Sequence, residues 1–119
     1  MNFMIKDTES FDYGKQVKVM AAGGSRTFGN TVIIWDPSTT EAAVKVTVNM
    51  GGVPIKVQTL TPNSNMMTYN GASGEDWSKG KITAAFGPTG KSGTLSGDLT
   101  WCYQGDEGRY AGYIGSWEV

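Results

Sequence analysis

The chain has 119 residues and is nearly neutral, with ten basic residues against eleven acidic ones, one cysteine and no histidine. The lack of histidine excludes Ser-His-Asp and Cys-His catalysis and the commonest transition-metal ligand, so we expect no enzyme, no catalytic residue, no metal and no cofactor. The lysines are scattered singly instead of forming a basic face, which argues against nucleic-acid binding.

Glycine is the compositional outlier, at 17 of 119 residues, against an average of about 7 per cent. With frequent Thr, Val and aromatic residues, this composition favours short strands joined by tight turns. The length fits a single all-β domain over residues 1–119. Charges interrupt the opening residues, and no run of roughly 18 apolar residues occurs. We therefore expect no signal peptide in this sequence, no membrane span and a soluble protein of undetermined location.

The first strand candidates lie at 2–6 and 16–22, where apolar and polar residues alternate. The next segment, Thr31 to Asp36, is apolar on both faces, one of which carries Ile33 and Trp35. Such a strand is central in a sheet or is covered by a partner subunit.

The segment from Ala43 to Leu60 predicts a β-hairpin with a two-residue turn at Gly51-Gly52. This turn places most of the apolar residues of both strands on one face. The expected pairs are Val48 with Ile55, Val46 with Val57, and Val44 with Thr59. Pro54, opposite Asn49, has no amide to donate, so we expect its strand to lie at a sheet edge.

The middle of the chain predicts two strands separated by a long loop. The strands lie at 65–69 and 81–86, where apolar residues fall on alternate positions. The residues between them, Asn70 to Gly80, form a predicted polar loop that contains Trp77. A tryptophan in a polar loop, without a core position, suggests contact with a ligand.

Residues 85–92, AFGPTGKS, fit a loose form of the nucleotide-binding P-loop pattern. A P-loop feeds a helix, whose N-terminal amides help to hold the phosphates. Here the following residues alternate with period two and include glycines, so a strand is expected where a helix is required. We therefore predict a glycine-rich β-turn and no nucleotide site.

The last quarter, Gly93 to Val119, predicts a long aromatic hairpin with its loop centred on Asp106-Glu107. Its apolar face would pair Trp101 with Gly112, Leu99 with Ile114, and Tyr103 with Tyr110. Its mixed face would carry Asp98, Thr100, Cys102, Ala111, Tyr113, Gly115 and Trp117. We interpret Cys102 as a buried small residue, because no histidine is present to activate its thiol.

Together these patterns predict an all-β fold, as a single-domain antiparallel β-sandwich or a small β-barrel of about eight strands. The mixed face and the polar loops offer aromatic rings for the C–H faces of sugars, and carboxylates and amides for their hydroxyls. We therefore predict a lectin-like, non-enzymatic carbohydrate-binding module. Its candidate ligand residues are Trp77, Asp98, Tyr113, Trp117, Asn70, Asp76, Asp106 and Arg109.

Alternatives remain for these residues and for the function. Tyr113 and Trp117 fit a core beneath a second sheet equally well, and the acidic loop residues fit solvated turns. The chain could instead be a structural or interaction protein that forms a homo-oligomer or binds a protein surface. A third possibility is a small β-barrel that holds an apolar ligand in an interior cavity.

Overall fold

Alternating segments separated by tight turns form eight antiparallel strands in the computed structural model, which describes residues 23–119. The predicted all-β fold is confirmed, and the strands expected at 2–6 and 16–22 lie outside the described residues. The strands are β1 (Gly24–Phe28), β2 (Thr31–Pro37), β3 (Val44–Met50), β4 (Val53–Leu60), β5 (Met66–Ser73), β6 (Asp76–Phe86), β7 (Ser92–Tyr103) and β8 (Asp106–Glu118).

Within each sheet every strand pairs with the next one in the chain, so β1–β4 form one sheet and β5–β8 form a second, with no pairing between β4 and β5. The two sheets pack as a sandwich and also meet along both edges, where β1 contacts β8 and β4 contacts β5. The described part of the chain has no helix of the length and apolarity that a membrane span requires.

The core lies between the two sheets, because alternate side chains of every strand point to the same face. Its fully buried apolar residues are Ile33, Val44, Val46, Val48, Leu60, Ile82, Ala84, Leu95 and Leu99. The hydroxyls of Thr31 and Ser78, both fully buried, form a hydrogen bond between β2 and β6. This bond satisfies two polar groups that would otherwise destabilise the apolar interior.

The doubly apolar strand is central, as its sequence predicts, because β2 lies between β1 and β3. Ile33 and Trp35 are buried in the core between the sheets, whereas Val32 and Ile34 on the opposite face are half-buried. The chain itself therefore covers the Ile33 and Trp35 face, and no partner subunit is needed to explain this strand.

Three tryptophans pack directly on glycines, whose missing side chains leave room for the indole rings. A Cβ added to Gly115 would lie 2.2 Å from the Trp35 ring, and one added to Gly24 would lie 2.6 Å from it. Trp35 thus fills the edge where β1 meets β8. The other contacts of this kind are Trp101 on Gly29 and Gly108, and Trp117 on Gly93.

The first predicted hairpin is right at its turn and wrong farther along. Met50 pairs with Val53 and Asn49 with Pro54, and β4 is an edge strand as Pro54 predicts. A β-bulge at this point then shifts the register by one residue, so the pairs are Val48 with Lys56, Val46 with Gln58 and Val44 with Leu60. The predicted inward position of Val57 is therefore wrong, and its side chain is exposed.

The last predicted hairpin has the right strands and the wrong turn. Gln104 and Gly105 form the turn, so Trp101 pairs with Gly108 instead of Gly112, Leu99 with Tyr110, and Tyr103 with Asp106. The predicted register of β8 against β7 is wrong by four residues. Because four is an even number, most β8 residues still lie on the face predicted for them. A bulge at Ile114 reverses the faces near the end, and Trp117 points into the core.

Two further expectations about loops have opposite outcomes. The predicted loop from Asn70 to Gly80 is wrong, because β5 and β6 continue through it and turn at Gly74-Glu75. The P-loop-like segment is a turn, as expected, in which the Gly87 amide donates to the Ser92 carbonyl at 2.8 Å and strand β7 follows directly. Cys102 is buried, also as expected.

Candidate ligand-binding face

Alternation along the second sheet separates a core face from an outer face rich in polar groups. On β6 the outward residues are Trp77, Lys79 and Lys81, between the inward Ser78, Gly80 and Ile82. The residues that pair with these outward positions on the neighbouring strands form rows across the sheet. One row is Asn70, Lys79, Thr100 and Arg109, and the next is Thr68, Lys81, Asp98 and Ala111.

Asp98 and Arg109 form an ion pair on this outer face. The Arg109 Nε and Nη2 atoms donate to the two carboxylate oxygens of Asp98 at 3.3 and 3.2 Å. This two-point contact is the only ion pair within residues 23–119. Both side chains remain more than half exposed, so the pair holds the carboxylate and guanidinium in a fixed mutual orientation and adds little stability.

A groove of about 750 Å³ runs beside this pair, where β4 of the first sheet meets the second sheet. We call it the seam groove. Its polar lining residues are three lysines and neighbouring residues with hydroxyl, amide and carboxylate side chains. These residues are Lys56, Lys79, Lys81, Thr68, Asn70, Asp98 and Thr100.

Lys56 belongs to the seam groove because of the bulge in β4. Without the one-residue shift, Lys56 would point to the outer face of the first sheet, opposite Thr47. The bulge turns it toward the seam between the sheets, and the next residue but one, Gln58, reaches across this seam to donate to the Met66 carbonyl at 3.3 Å. Bulges commonly redirect side chains in this way beside binding sites.

Trp77 lies one row beyond Lys79 on the same outer face. Its ring is half-buried, and the Lys79 ammonium lies 5.3 Å from the ring centre in a cation–π contact. Because adjacent rows are about 7 Å apart, the indole lies beside the Lys79 end of the seam groove. Trp77 is therefore partly exposed, and it lies in strand β6 instead of the predicted loop.

The other two aromatic residues predicted to bind a ligand, Tyr113 and Trp117, do not lie near Trp77. Tyr113 lies on the outer face and is 53 % exposed, but its row is three rows from that of Trp77, about 20 Å along the strands. Trp117 is 4 % exposed and forms an edge-to-face contact with Phe86 at 5.4 Å. Trp117 therefore belongs to the core. Its predicted position on the mixed face is wrong, because the β8 bulge turns its ring inward.

The two predicted acidic loop residues lie away from the seam groove, at the end of the sandwich that carries the tight turns. Asp76 starts β6, and its Oδ1 accepts the Gln104 amide at 2.9 Å. Asp106 starts β8 and is exposed. Of the eight predicted ligand residues, the structure brings Asn70, Trp77, Asp98, Arg109 and Tyr113 onto one face and places the other three elsewhere.

The three lysines are the residues that the sequence prediction missed. A signal for two of them existed, since Lys79 and Lys81 flank a glycine with strand periodicity. The position of Lys56 depends on the bulge, which the alternating pattern does not reveal. Within residues 23–119, no group of three or more acidic or cysteine side chains is placed to hold a metal ion.

Tyr69, which also borders the seam groove, carries a buried phenol. Burial raises its pKa above the ordinary value of 10.0, and a contact with the Ser78 hydroxyl offsets part of that rise. The phenol oxygen nevertheless has no hydrogen bond of good geometry within the described residues. An unpaired polar atom in the core costs stability.

The Tyr69→Phe variant is therefore expected to keep or slightly raise the free energy of unfolding at neutral pH. The unfolded phenol loses its proton near pH 10 while the folded one retains it, so this group destabilises the wild type as the pH rises above about 10. Denaturant unfolding of both proteins at neutral and alkaline pH would measure the difference. A variant with a lower free energy of unfolding than the wild type at neutral pH would contradict this explanation. So would a variant that loses as much stability as the wild type above about pH 10.

Comparison of the chain with models of protein families, with curated proteins and with solved structures gives no match. The function must therefore be argued from the geometry of the described residues.

Proposed function

We propose that this protein is a non-enzymatic binding module that holds an acidic saccharide on the outer face of the β5–β8 sheet. The observation that carries the proposal is the seam groove, in which three lysines, an amide and two hydroxyls converge beside an accessible tryptophan. Sites of this kind join an aromatic surface to a few placed polar groups.

The charge of the seam groove favours an anionic ligand. Lys56, Lys79 and Lys81 line it, and Asp98 is its single acidic residue and is already paired with Arg109. Uronate or sulfate groups on a saccharide would complement these ammonium groups, which attract anions more strongly at low salt.

The other groups favour a saccharide over a simple anion. Asp98 accepts hydrogen bonds and repels a bare phosphate or sulfate, but it suits a sugar hydroxyl. Asn70 can donate to and accept from hydroxyl groups, and Thr100, whose hydroxyl donates to the Lys79 carbonyl at 3.5 Å, can accept from them. Trp77 lies at the end of the same face, where its ring can cover the apolar C–H face of a sugar.

Isothermal titration with an oligogalacturonate, a neutral maltooligosaccharide and polyglutamate would test the proposal. We expect the oligogalacturonate to bind, with an affinity that falls as salt is raised, and the other two to bind at least about tenfold more weakly. If polyglutamate bound as tightly as the oligogalacturonate, the surface would be a general polyanion site, and saccharide recognition would be contradicted. The proposal would also be contradicted if no acidic glycan bound.

Two variants locate the site. Lys79→Gln removes a charged donor and Trp77→Ala removes the stacking surface, and each is expected to weaken oligogalacturonate binding about tenfold. Lys45→Gln is the matched control, since Lys45 is exposed on the first sheet, away from the seam groove. An equal loss in all three variants would contradict the proposed location.

A further inference from the structure

A second cavity, of about 360 Å³, opens at the end of the sandwich that carries the four tight turns. We call it the turn-end cavity. It lies between the sheets and is distinct from the seam groove: apart from Ile55, none of its lining residues borders that groove. Its volume is at the lower end of the range of about 300 to 1,000 Å³ for small-molecule sites, which suits one ring or a short chain.

Small residues at the end of β5 border the cavity. Ala72 and Ser73 line it, and a Cβ at the neighbouring Gly71 would lie 2.8 Å from the Ile55 side chain. The space above this contact is left open between Met50 and Tyr103.

Apolar side chains that the fold leaves uncovered mark the cavity mouth. Val53 is 60 % exposed and Tyr103 is 45 % exposed, and both line the cavity together with Met50 and Ile55. Covering such surface is favourable, so an apolar ligand body would gain free energy here.

The charges around the mouth are all negative. Glu75 lies in the β5–β6 turn, Asp76 begins β6, and Asp106 and Glu107 begin β8. Residues 28–31, 50–53, 73–76 and 103–107 contain no lysine or arginine. The nearest basic residues along the strands point away from the mouth. Lys79 and Arg109 lie on the outer face, Lys56 lines the seam groove, and Arg26 donates to the carbonyls of Tyr113 and Ile114 at the edge where β1 meets β8. The field at the opening therefore favours a cation.

Asp76 is the acidic residue that lines the cavity itself. Its Oδ1 accepts the amide of Gln104, a turn residue with a φ of 53°, at 2.9 Å. This bond fixes the carboxylate at the cavity wall and leaves Oδ2 as an acceptor. The Asn30 amide, by contrast, is already used, because its Nδ2 donates to the Cys102 carbonyl at 3.0 Å.

We propose that the turn-end cavity binds a small hydrophobic amine. The apolar body packs against Met50, Val53 and Ile55, and the ammonium group pairs with the free oxygen of Asp76. The Tyr103 ring, at the mouth, adds a face on which the cation can rest. Four carboxylates near the opening raise the local concentration of such a cation.

The test compares 2-phenylethylamine with its neutral counterpart 2-phenylethanol, using NMR titration of the isotope-labelled full chain. We expect the amine to bind at least about tenfold more tightly than the alcohol, with shifts at Val53, Ser73 and Tyr103. Asp76→Asn keeps an oxygen for the Gln104 amide but removes the charge, so it should abolish the preference. Asp106→Asn, a change of the same kind at an exposed neighbour, should keep most of it.

Three results would overturn the proposal. The first is that the folded wild type shows no saturable shifts when the amine is added. The second is that the wild type binds the amine and the alcohol with equal affinity. The third is that the folded Asp76→Asn variant prefers the amine as strongly as the wild type does. Oligogalacturonate binding at the seam groove is unaffected by any of these results, so the two sites are tested separately.

Discussion

Trp117→Ala is expected to lower the free energy of unfolding by about 3 to 5 kcal/mol, the range for removing a buried aromatic side chain. The indole is 4 % exposed, packs edge-to-face on Phe86 and rests on Gly93, where a Cβ would lie 2.4 Å from the ring. Truncation of the indole leaves a cavity beside Gly93, which has no side chain that could fill it.

Tyr113→Ala is the matched control for Trp117→Ala, because Tyr113 is an aromatic residue on the same strand but 53 % exposed. Its unfolding free energy should stay within about 0.5 kcal/mol of the wild type, because the side chain lies on the surface. Denaturant unfolding of both variants would decide between a core position and a ligand surface for Trp117. A stable Trp117→Ala variant would contradict the β8 register described above.

Gly115→Ala is expected to lower the free energy of unfolding by about 3 kcal/mol, at the upper end of the usual cost of overpacking. The new methyl group would lie 2.2 Å from the Trp35 ring. The ring has little freedom to move away, because Gly24 contacts it closely and its Nε1 donates to the Ser116 carbonyl at 3.0 Å. The clash therefore strains the edge where β1 meets β8.

Ser116→Ala is a suitable control for Gly115→Ala, since it changes the next, exposed residue and retains the carbonyl that Trp35 uses. The smaller ring of Trp35→Phe should relieve part of the clash, so Gly115→Ala should cost less in that background than in the wild type. If denaturant unfolding shows an equal cost in both backgrounds, the glycine is not required by the indole.

Much of the architecture could be predicted because strand periodicity and glycine turns are local features. The turn at Gly51-Gly52, the edge position of β4 inferred from Pro54 and the central position of β2 follow from such features and agree with the structure. The buried pair Met67 and Tyr69 likewise follows from alternation.

The errors arise where packing between the sheets decides the register. In the last hairpin, Trp101 packs on Gly108, which requires the turn at Gln104-Gly105 instead of the acidic pair that follows it. The preference of glycine for a positive φ in two-residue turns was the available signal. Nothing local distinguishes Gly108 from Gly112 as the partner of the indole.

The candidate site was harder to predict than the fold, because bulges decide which side chains reach it. The bulge before Ile55 brings Lys56 into the seam groove, and the bulge at Ile114 removes Trp117 from the outer face. Each inserts one extra residue and thereby reverses the faces beyond it. Asp98 and Arg109 keep their predicted exposure, since both lie between the turn and the β8 bulge, where the register error of four residues leaves the faces unchanged.

The central claim is that the outer face of the second sheet recognises an acidic saccharide, and residue-resolved NMR titration with oligogalacturonate tests it most directly. We predict saturable shifts at Asn70, Lys79 and Thr100, which line the seam groove, and at the Trp77 indole in the next row. Shifts confined to the first sheet or to the turn-end cavity, or no saturable shifts in the folded protein, would contradict the claim.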